Sequence, residues 1–202
     1  MLFAILLVVL IVFLSAFIAF LLIVTKMSNE TFQKFCSKKV ERIAKRNNSL
    51  YLNEVSISNF DSEKLGINHV IFGKKYIYLI SDLLLRGFVS GDIKDNSWIY
   101  FNNVNRKYNY LTNLYRYSEK NIKDFAGILQ ISPDPIVFIC LVPNECDFKI
   151  EGENSENKFI THFSSLRRLI RKMEKKQIGT LDKQQIYEQF EQLKKQNEEE
   201  RK

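Results

Sequence analysis

The chain opens with a long apolar run, and this feature restricts its folding more than any other. From Leu2 to Val24 there is no charged residue, and only Ser15 is polar. A helix of this length spans about 30 Å of hydrocarbon. A cleaved signal peptide would normally carry a basic start, a shorter apolar core and a small-residue cleavage site, whereas this run begins directly after Met1. The run therefore predicts an N-terminal transmembrane helix over residues 1–25.

Basic residues follow the apolar run on one side only. They are Lys26, Lys34, Lys38, Lys39, Arg42, Lys45 and Arg46. The positive-inside rule then predicts a single-pass protein of the cell membrane whose C-terminal domain is cytoplasmic. The position of the cluster beside the membrane favours contact with anionic lipid. The lysines expected to make this contact are Lys26, Lys34, Lys38 and Lys39.

The cysteine content agrees with a cytoplasmic location, and the net charge bears on the kind of partner. The three cysteines, Cys36, Cys140 and Cys146, are odd in number and lack metal-ligand spacing, so we expect reduced packing residues rather than a disulfide framework. The formal net charge of +7 admits two kinds of partner, an anionic lipid surface or a nucleic acid.

The pattern of apolar residues predicts a domain with both helices and strands. Apolar spacings of three and four residues predict a helix from Asn29 to Arg46, with Phe32, Phe35, Cys36, Val40 and Ile43 on its inner stripe. Runs rich in β-branched or aromatic residues predict strands at Leu50–Ile57, Asn68–Phe72, Tyr76–Ser81, Gly87–Gly91 and Ser97–Phe101. Together they predict a largely antiparallel meander, in which the short connection at 73–75 pairs the second strand with the third. Further along, we expect a helix over Asn105–Ser118, a strand over 135–142, short strands at Phe148–Ile150 and Lys158–Thr161, and helices at Phe163–Lys176 and Leu181–Lys195. The fold class expected is α/β (α+β).

The usual enzyme signatures are missing from the sequence. There is no Gly-rich phosphate loop, no His/Cys metal cluster and no nucleophile elbow, and His69 and His162 are the only histidines. We therefore expect no cofactor and no metal.

One segment nevertheless has the spacing of a nuclease core. It contains INHVI (67–71), a Gly-Lys-Lys turn, ISDL (80–83), then Gly87, Gly91 and Trp98. This order resembles the NERD domain, the nuclease-related domain of the restriction-endonuclease-like (PD-(D/E)XK) superfamily, over about residues 31–195. In that family an Ile-Asp-His segment precedes a strand that ends Ile-Glu-x-Lys, and a Gly-Glu pair stands near the start of the first helix.

The reactive positions of the family are substituted in this chain. The aspartate position holds Asn68, the glutamate and lysine positions hold Ser81 and Leu83, and the Gly-Glu pair falls on Cys36 and Ser37. Paired carboxylates hold Mg²⁺ and the lysine stabilises charge that develops on the phosphate, so losing them should remove most metal affinity and activation of the nucleophile. The resemblance thus implies the fold with a degenerate centre, and no catalytic residue is expected.

Asp82 is the one acid near these positions. Strand alternation points it away from the face that carries Ser81 and Leu83. A slip of one residue in register would bring it to that face, but the slip would also expose the apolar set. The other interpretation of the segment is an unrelated α/β domain in which Asn68, Ser81 and Leu83 are ordinary residues at the edge of the core.

A second candidate site is the basic helix HFSSLRRLIRKMEKK (162–176). Leu166, Ile170 and Met173 form its apolar stripe, and its candidate nucleic-acid-binding residues are Arg167, Arg168, Arg171 and Lys172. A charged face of this kind is also typical of a solvated helix or of one near an anionic membrane.

The resemblance implies a restriction-endonuclease-like mixed sheet flanked by helices, preceded by one N-terminal transmembrane helix. The expected organisation is a transmembrane helix (1–25), a basic juxtamembrane segment with the first helix (26–49), a NERD-like cytoplasmic domain (50–195, its first helix starting at about 31) and a charged tail (196–202). The function expected is a catalytically inactive interaction or scaffold module with an unknown protein partner. The alternatives are a membrane-tethered nucleic-acid-binding protein and a metal-dependent nuclease with an atypical site.

Overall fold

A computed structural model describes residues 6, 9–17, 28–53, 67–152, 156–176, 179 and 181–199, with side chains described to residue 192 in the last of these ranges. The helices are α1 (Asn29–Arg46), α2 (Leu114–Leu129), α3 (Leu166–Glu174, after a 3₁₀ turn at Phe163–Ser165) and α4 (Lys183–Glu199). The strands are β1 (Leu50–Asn53), β2 (His69–Phe72), β3 (Ile77–Asp82), β4 (Gly87–Asp92), β5 (Ser97–Asn102), β6 (Lys107–Thr112), β7 (Ile136–Val142), β8 (Cys146–Glu151) and β9 (Lys158–His162).

The first sheet has the strand order β1-β2-β3-β7-β9. Its first three strands form an antiparallel meander, and β7 and β9 join in parallel. The hairpin of β2 and β3, which places Val70 opposite Leu79 across the Gly-Lys-Lys turn, confirms the predicted strand pair. Every residue of β7 is buried, as the continuous apolar run predicts for a central strand.

The second sheet has the order β6-β5-β4-β8. Strand β4 follows β3 and pairs in parallel with β8, which follows β7. Each sheet therefore contains a parallel pair, β3 with β7 in the first sheet and β4 with β8 in the second. The chain passes from the first sheet to the second twice, from β3 to β4 and from β7 to β8. The predicted antiparallel meander describes the hairpins correctly but misses these parallel pairs.

Helices cover both faces of the first sheet. On one face α1 and α3 pack through residues such as Cys36 and Ile170 against Tyr78, Ile80 and Ile139. On the other face α2 and α4 contribute buried residues that include Phe125, Ile186 and Phe190, and this core also contains Trp98 from the second sheet. The architecture is α+β, with two mixed sheets flanked by helices, and it agrees with the predicted class.

The N-terminal segment is described only in part. Residues 9–17 are helical and their apolar side chains are exposed. Most of the predicted span over 1–25 lies outside the described residues. Within the part of the chain that the structure does describe, no helix is long and apolar enough to cross a membrane.

The helix predicted over Asn105–Ser118 is wrong in its first half. Residues Lys107–Thr112 form strand β6, and the helix begins only at Leu114 and continues to Leu129. The side chain of Asn113 starts this helix, because its Oδ1 accepts hydrogen bonds from the backbone N–H groups of Tyr115 and Arg116.

The first helix has the predicted bounds, but its inner stripe is narrower than expected. Phe32, Cys36, Val40 and Ile43 are buried, whereas Phe35 is 54% exposed. The three cysteines are free and buried, as predicted for packing residues.

Candidate functional site

A buried polar pair lies beneath α1, at the end of the β2–β3 hairpin. The Nε2 atom of His69 is 2.7 Å from Oδ2 of Asp82, and both residues are almost fully buried. Buried charges are costly unless they are paired, so this contact determines how the site can ionise. Burial raises the pKa of Asp82, while the hydrogen bond from His69 acts in the opposite direction.

The other ring nitrogen of His69 is held from β1. Its Nδ1 is 2.8 Å from Oδ1 of Asn53, which also accepts a hydrogen bond from the Tyr51 hydroxyl. Since the amide oxygen only accepts, Nδ1 carries a proton. A single further proton then lies between Nε2 and Asp82, which makes either an imidazolium–carboxylate pair or a neutral imidazole facing a protonated acid.

The helix side of the pair is closed by α1. The Ser37 hydroxyl is 3.3 Å from the hydroxyl of Tyr51, and the Cys36 thiol adjoins Asp82. Burial, and next the negative charge of Asp82, raise the pKa of Cys36 above its usual range. The thiol is thus a poor nucleophile, because the thiolate is the reactive form.

The order of these groups does not match that of a nucleophilic triad. A catalytic cysteine needs the histidine beside it as the base, with the acid behind the histidine. Here Asp82 lies between Cys36 and His69, so the imidazole does not reach the thiol. We call this set, Cys36, Ser37, Tyr51, Asn53, His69 and Asp82, the buried polar network. Its centre, Cys36, His69 and Asp82, is buried, Ser37 and Tyr51 are half-buried, and Asn53 at its outer end is exposed.

The four degenerate family positions do not converge on one face of the sheet. Ser37 lies on the α1 side, within the buried polar network. Ser81 is on the opposite side, because it follows Leu79 in the core beneath α2 and α4, and Leu83 packs against that same core. Asp82 points away from Ser81 and Leu83, as strand alternation predicts.

Asn68 has a backbone role in this structure. Its side-chain Oδ1 accepts a 2.8 Å hydrogen bond from the backbone N–H of Asp82, and this contact fixes the end of β3 against the start of β2. In the described part of the chain, no three His, Cys, Asp or Glu side chains are grouped so that they could hold a metal ion.

A second candidate site is a broad basic surface on the outer sides of α1 and α3. It comprises three adjoining clefts of about 620, 570 and 680 Å³. The first and second clefts share Arg167, the second and third share Arg171, and the third and first share Arg46. We call this surface the α1–α3 basic face. Its cations are Lys38, Lys39, Arg42, Arg46, Lys74, Lys75, Arg167, Arg168, Arg171, Lys172 and Lys175.

The structure therefore joins two residue sets that the sequence assigned to different partners. Lys38 and Lys39, predicted to contact lipid, share the first cleft with Arg167, predicted to bind nucleic acid. Arg168, Arg171 and Lys172 continue the same face, and Lys74 and Lys75 extend it from the β2–β3 turn. Lys34 does not line these clefts and pairs with Glu30 at 2.8 Å, and Lys26 lies outside the described residues.

A third surface is the outer face of the second sheet. Phe88, Phe101 and Tyr108 lie side by side across three strands, and the next row on that face holds Ile99 and Tyr110. Tyr108 and Tyr110 are 75% and 84% exposed. The sequence interpretation placed these tyrosines on a helix with core-like spacing, and their position on an edge strand corrects it.

Sequence reasoning missed Tyr51 and Asn53 in the buried polar network. The signal for them was alternation in the first strand, which places both on the same side of β1. No family model, no curated protein and no solved structure matches this chain.

Proposed function

We propose that this chain is a membrane-anchored module of the NERD type that has kept the nuclease-related fold, has lost the catalytic centre and works as an interaction or scaffold module. The observation that carries the proposal is the buried polar network. Where the family resemblance would put a metal-binding centre, the one carboxylate, Asp82, is buried and lies 2.7 Å from the imidazole of His69, which the described side chains of β1 hold from its other ring nitrogen.

The order of elements supports the resemblance. A helix precedes a three-strand meander, and α2, the buried strand β7 and the basic helix α3 follow in the order that the family pattern requires. The two glycines and the tryptophan of the pattern also have structural roles. Gly91 packs against the indole of Trp98, which is fully buried and donates its Nε1–H to the Asp92 carbonyl at 2.8 Å.

The chemistry of the buried polar network argues against hydrolysis. Mg²⁺ takes several oxygen ligands and keeps some of its water, so it needs an open site with at least one ionised carboxylate. Asp82 is 6% exposed, and its Oδ2 is occupied by His69. A phosphodiester could reach this carboxylate only if α1 moved away.

The outer face of the second sheet supports a role in binding. Solvent-exposed apolar side chains in neighbouring positions are typical of surfaces that contact other molecules. Phe88, Ile99, Tyr108 and Tyr110 form such a group, and β6 is an edge strand with one side of its backbone unpaired in the described sheet.

The anchor belongs to the same proposal. Residues 2–24 have the length and composition to cross a bilayer, and the basic residues that follow would keep the folded domain on the cytoplasmic side of the cell membrane.

The experiment that tests the loss of catalysis uses the purified full chain in detergent micelles. We expect no cleavage of single- or double-stranded DNA or RNA with Mg²⁺ or Mn²⁺, and no Mn²⁺ binding by calorimetry. Metal-dependent cleavage that Asp82→Asn abolishes and Asp147→Asn preserves would overturn the proposal in favour of a nuclease with an atypical site. Asp147 is the matched control because it is an exposed aspartate on β8, a strand of the second sheet.

A further inference from the structure

The α1–α3 basic face carries a large excess of positive charge. Among the residues that the structure describes, no carboxylate forms an ion pair with any of its eleven cations. The one acid in the lining, Glu174, accepts a hydrogen bond from the Tyr78 hydroxyl at 2.8 Å, and it sets a single negative charge against the eleven cations. Like charges gathered on one face repel one another, so an anionic ligand would relieve the repulsion.

Some of these cations are held in place before any ligand arrives. Lys39 Nζ lies 4.0 Å from the centre of the Phe163 ring, and burial lowers its pKa. Arg167, on α3, lines the cleft that it shares with α1, and its Nε is buried without a hydrogen-bond partner in the described part of the chain. Two positioned cations at the back of a cleft form a site suited to a phosphate group.

The rim of the same cleft is partly apolar. Phe35 is 54% exposed and lines the first cleft beside Lys38 and Lys39. An aromatic ring next to lysines is typical of segments that lie in the interfacial region of a membrane, where the ring enters the headgroup layer and the cations meet phosphates.

The position of α1 in the chain identifies the source of the phosphates. Its first residue is Asn29, only a few residues after the apolar run that ends at Val24. A bilayer crossed by that run would therefore lie close to α1 in every molecule, whereas a nucleic acid would have to be recruited from solution. Anionic lipid is thus favoured by effective concentration.

We propose that the α1–α3 basic face docks on the anionic headgroups of the membrane, with a lipid phosphate in the cleft between Lys39 and Arg167. This inference rests on the membrane anchor in the proposed function. In this arrangement the arginines of α3 and the lysines of α1 form one binding surface. The domain is then oriented with the α1–α3 basic face toward the bilayer.

The test places the full chain in nanodiscs and measures the distance of the face from the headgroups. A fluorophore on Ser164→Cys, in the first cleft, is quenched by lipids that carry a headgroup nitroxide, and a fluorophore on Val104→Cys reports a loop of the second sheet. The native cysteines are buried, so labelling is selective. We expect stronger quenching at position 164 than at 104 in discs containing phosphatidylglycerol. We also expect this difference to be lost in phosphatidylcholine discs or when salt screens the charges.

Paired charge variants provide the control. Arg168→Gln with Arg171→Gln removes two exposed cations from the face, and Lys107→Gln with Lys120→Gln removes two exposed cations elsewhere. Each cation near an anionic surface contributes about fivefold to binding, so the first pair should lower the docked-to-undocked ratio on the order of 25-fold and the second pair should leave it unchanged. All four substitutions are at exposed positions, so the fold should tolerate them.

Two results would overturn the inference. One is equal quenching at position 164 in anionic and neutral discs. The other is release of the face from anionic discs by an oligonucleotide at physiological salt, which would assign the face to nucleic acid. Failure of the anchor is distinguishable from both, since a chain without a membrane span would leave the nanodiscs in a high-salt wash that screens the charges of the face.

Discussion

The imidazole of His69 and the carboxylate of Asp82 lie 2.7 Å apart in the interior, on adjacent strands of the first sheet. Both residues are almost fully buried, and the contact occupies one oxygen of the carboxylate. The hydrogen bond between them is internal, and this makes the protonation of the pair a property of the folded state.

The stability of the domain should therefore depend on pH through Asp82. Burial raises the pKa of this carboxyl in the folded state, so its contribution is present below the unfolded pKa of about 4 and is lost as pH rises through the folded pKa. Asp82→Asn removes this titration. We compare the free energy of unfolding of the unmodified domain with that of the variant. The difference, unmodified minus variant, should fall as pH rises from about 4 to 8, and each unit by which burial raises the pKa of Asp82 should contribute about 1.4 kcal/mol to this fall. Urea unfolding followed by Trp98 fluorescence measures this difference, and a difference that rises with pH would contradict the argument.

Two glycines with different surroundings should respond to alanine in opposite directions. A Cβ at Gly91 would collide with the Trp98 ring, whereas one at Gly127 meets nothing within 4 Å and lies in helix α2. Gly91→Ala should destabilise the domain by about 1–3 kcal/mol, and Gly127→Ala should stabilise it by about 0.5–1 kcal/mol. Thermal unfolding of the two variants checks this, and equal effects would contradict the packing of β4 on β5.

The elements that sequence predicts best are those with one dominant signal. The turn at 73–75 between apolar runs fixes the β2–β3 hairpin, and the apolar run over 135–142 fixes a buried strand. Strand β6 was missed because Tyr108, Leu111 and Tyr115 also fit helical spacing, and a short run cannot distinguish the two periods. Asn113, which caps the helix, was the stronger signal.

The candidate sites were less predictable because they depend on tertiary contacts. His69 and Asp82 are 13 positions apart and meet only through the hairpin register. The α1–α3 basic face needs two helices from opposite ends of the domain to pack on the same side of the sheet. The sequence shows that α1 and α3 are both basic. That the two helices lie side by side follows only from the strand order of the sheet.

The cysteines should be unreactive while the domain is folded. Burial raises the pKa of Cys146 to about 12, and it raises the pKa values of Cys36 and Cys140 further. Iodoacetamide at mildly alkaline pH should therefore modify none of the three in the native chain and all three in urea. Rapid modification of Cys36 in the native chain, read by mass spectrometry, would show that α1 leaves the sheet and exposes the buried polar network.

Removal of the apolar run should release the domain from the membrane. A chain that lacks residues 1–25 keeps Ser28, whose hydroxyl accepts a hydrogen bond from the Thr31 backbone N–H and caps α1, so the fold should be retained. The α1–α3 basic face alone would hold this chain by charge, and salt on the order of 0.5 M screens such attraction. We therefore expect the truncated chain in the soluble fraction after a high-salt wash, and the full chain in the pellet even after carbonate extraction. A truncated chain that stays in the pellet through both washes would show that an anchor lies elsewhere, and a full chain that carbonate releases would show that residues 2–24 do not cross the bilayer.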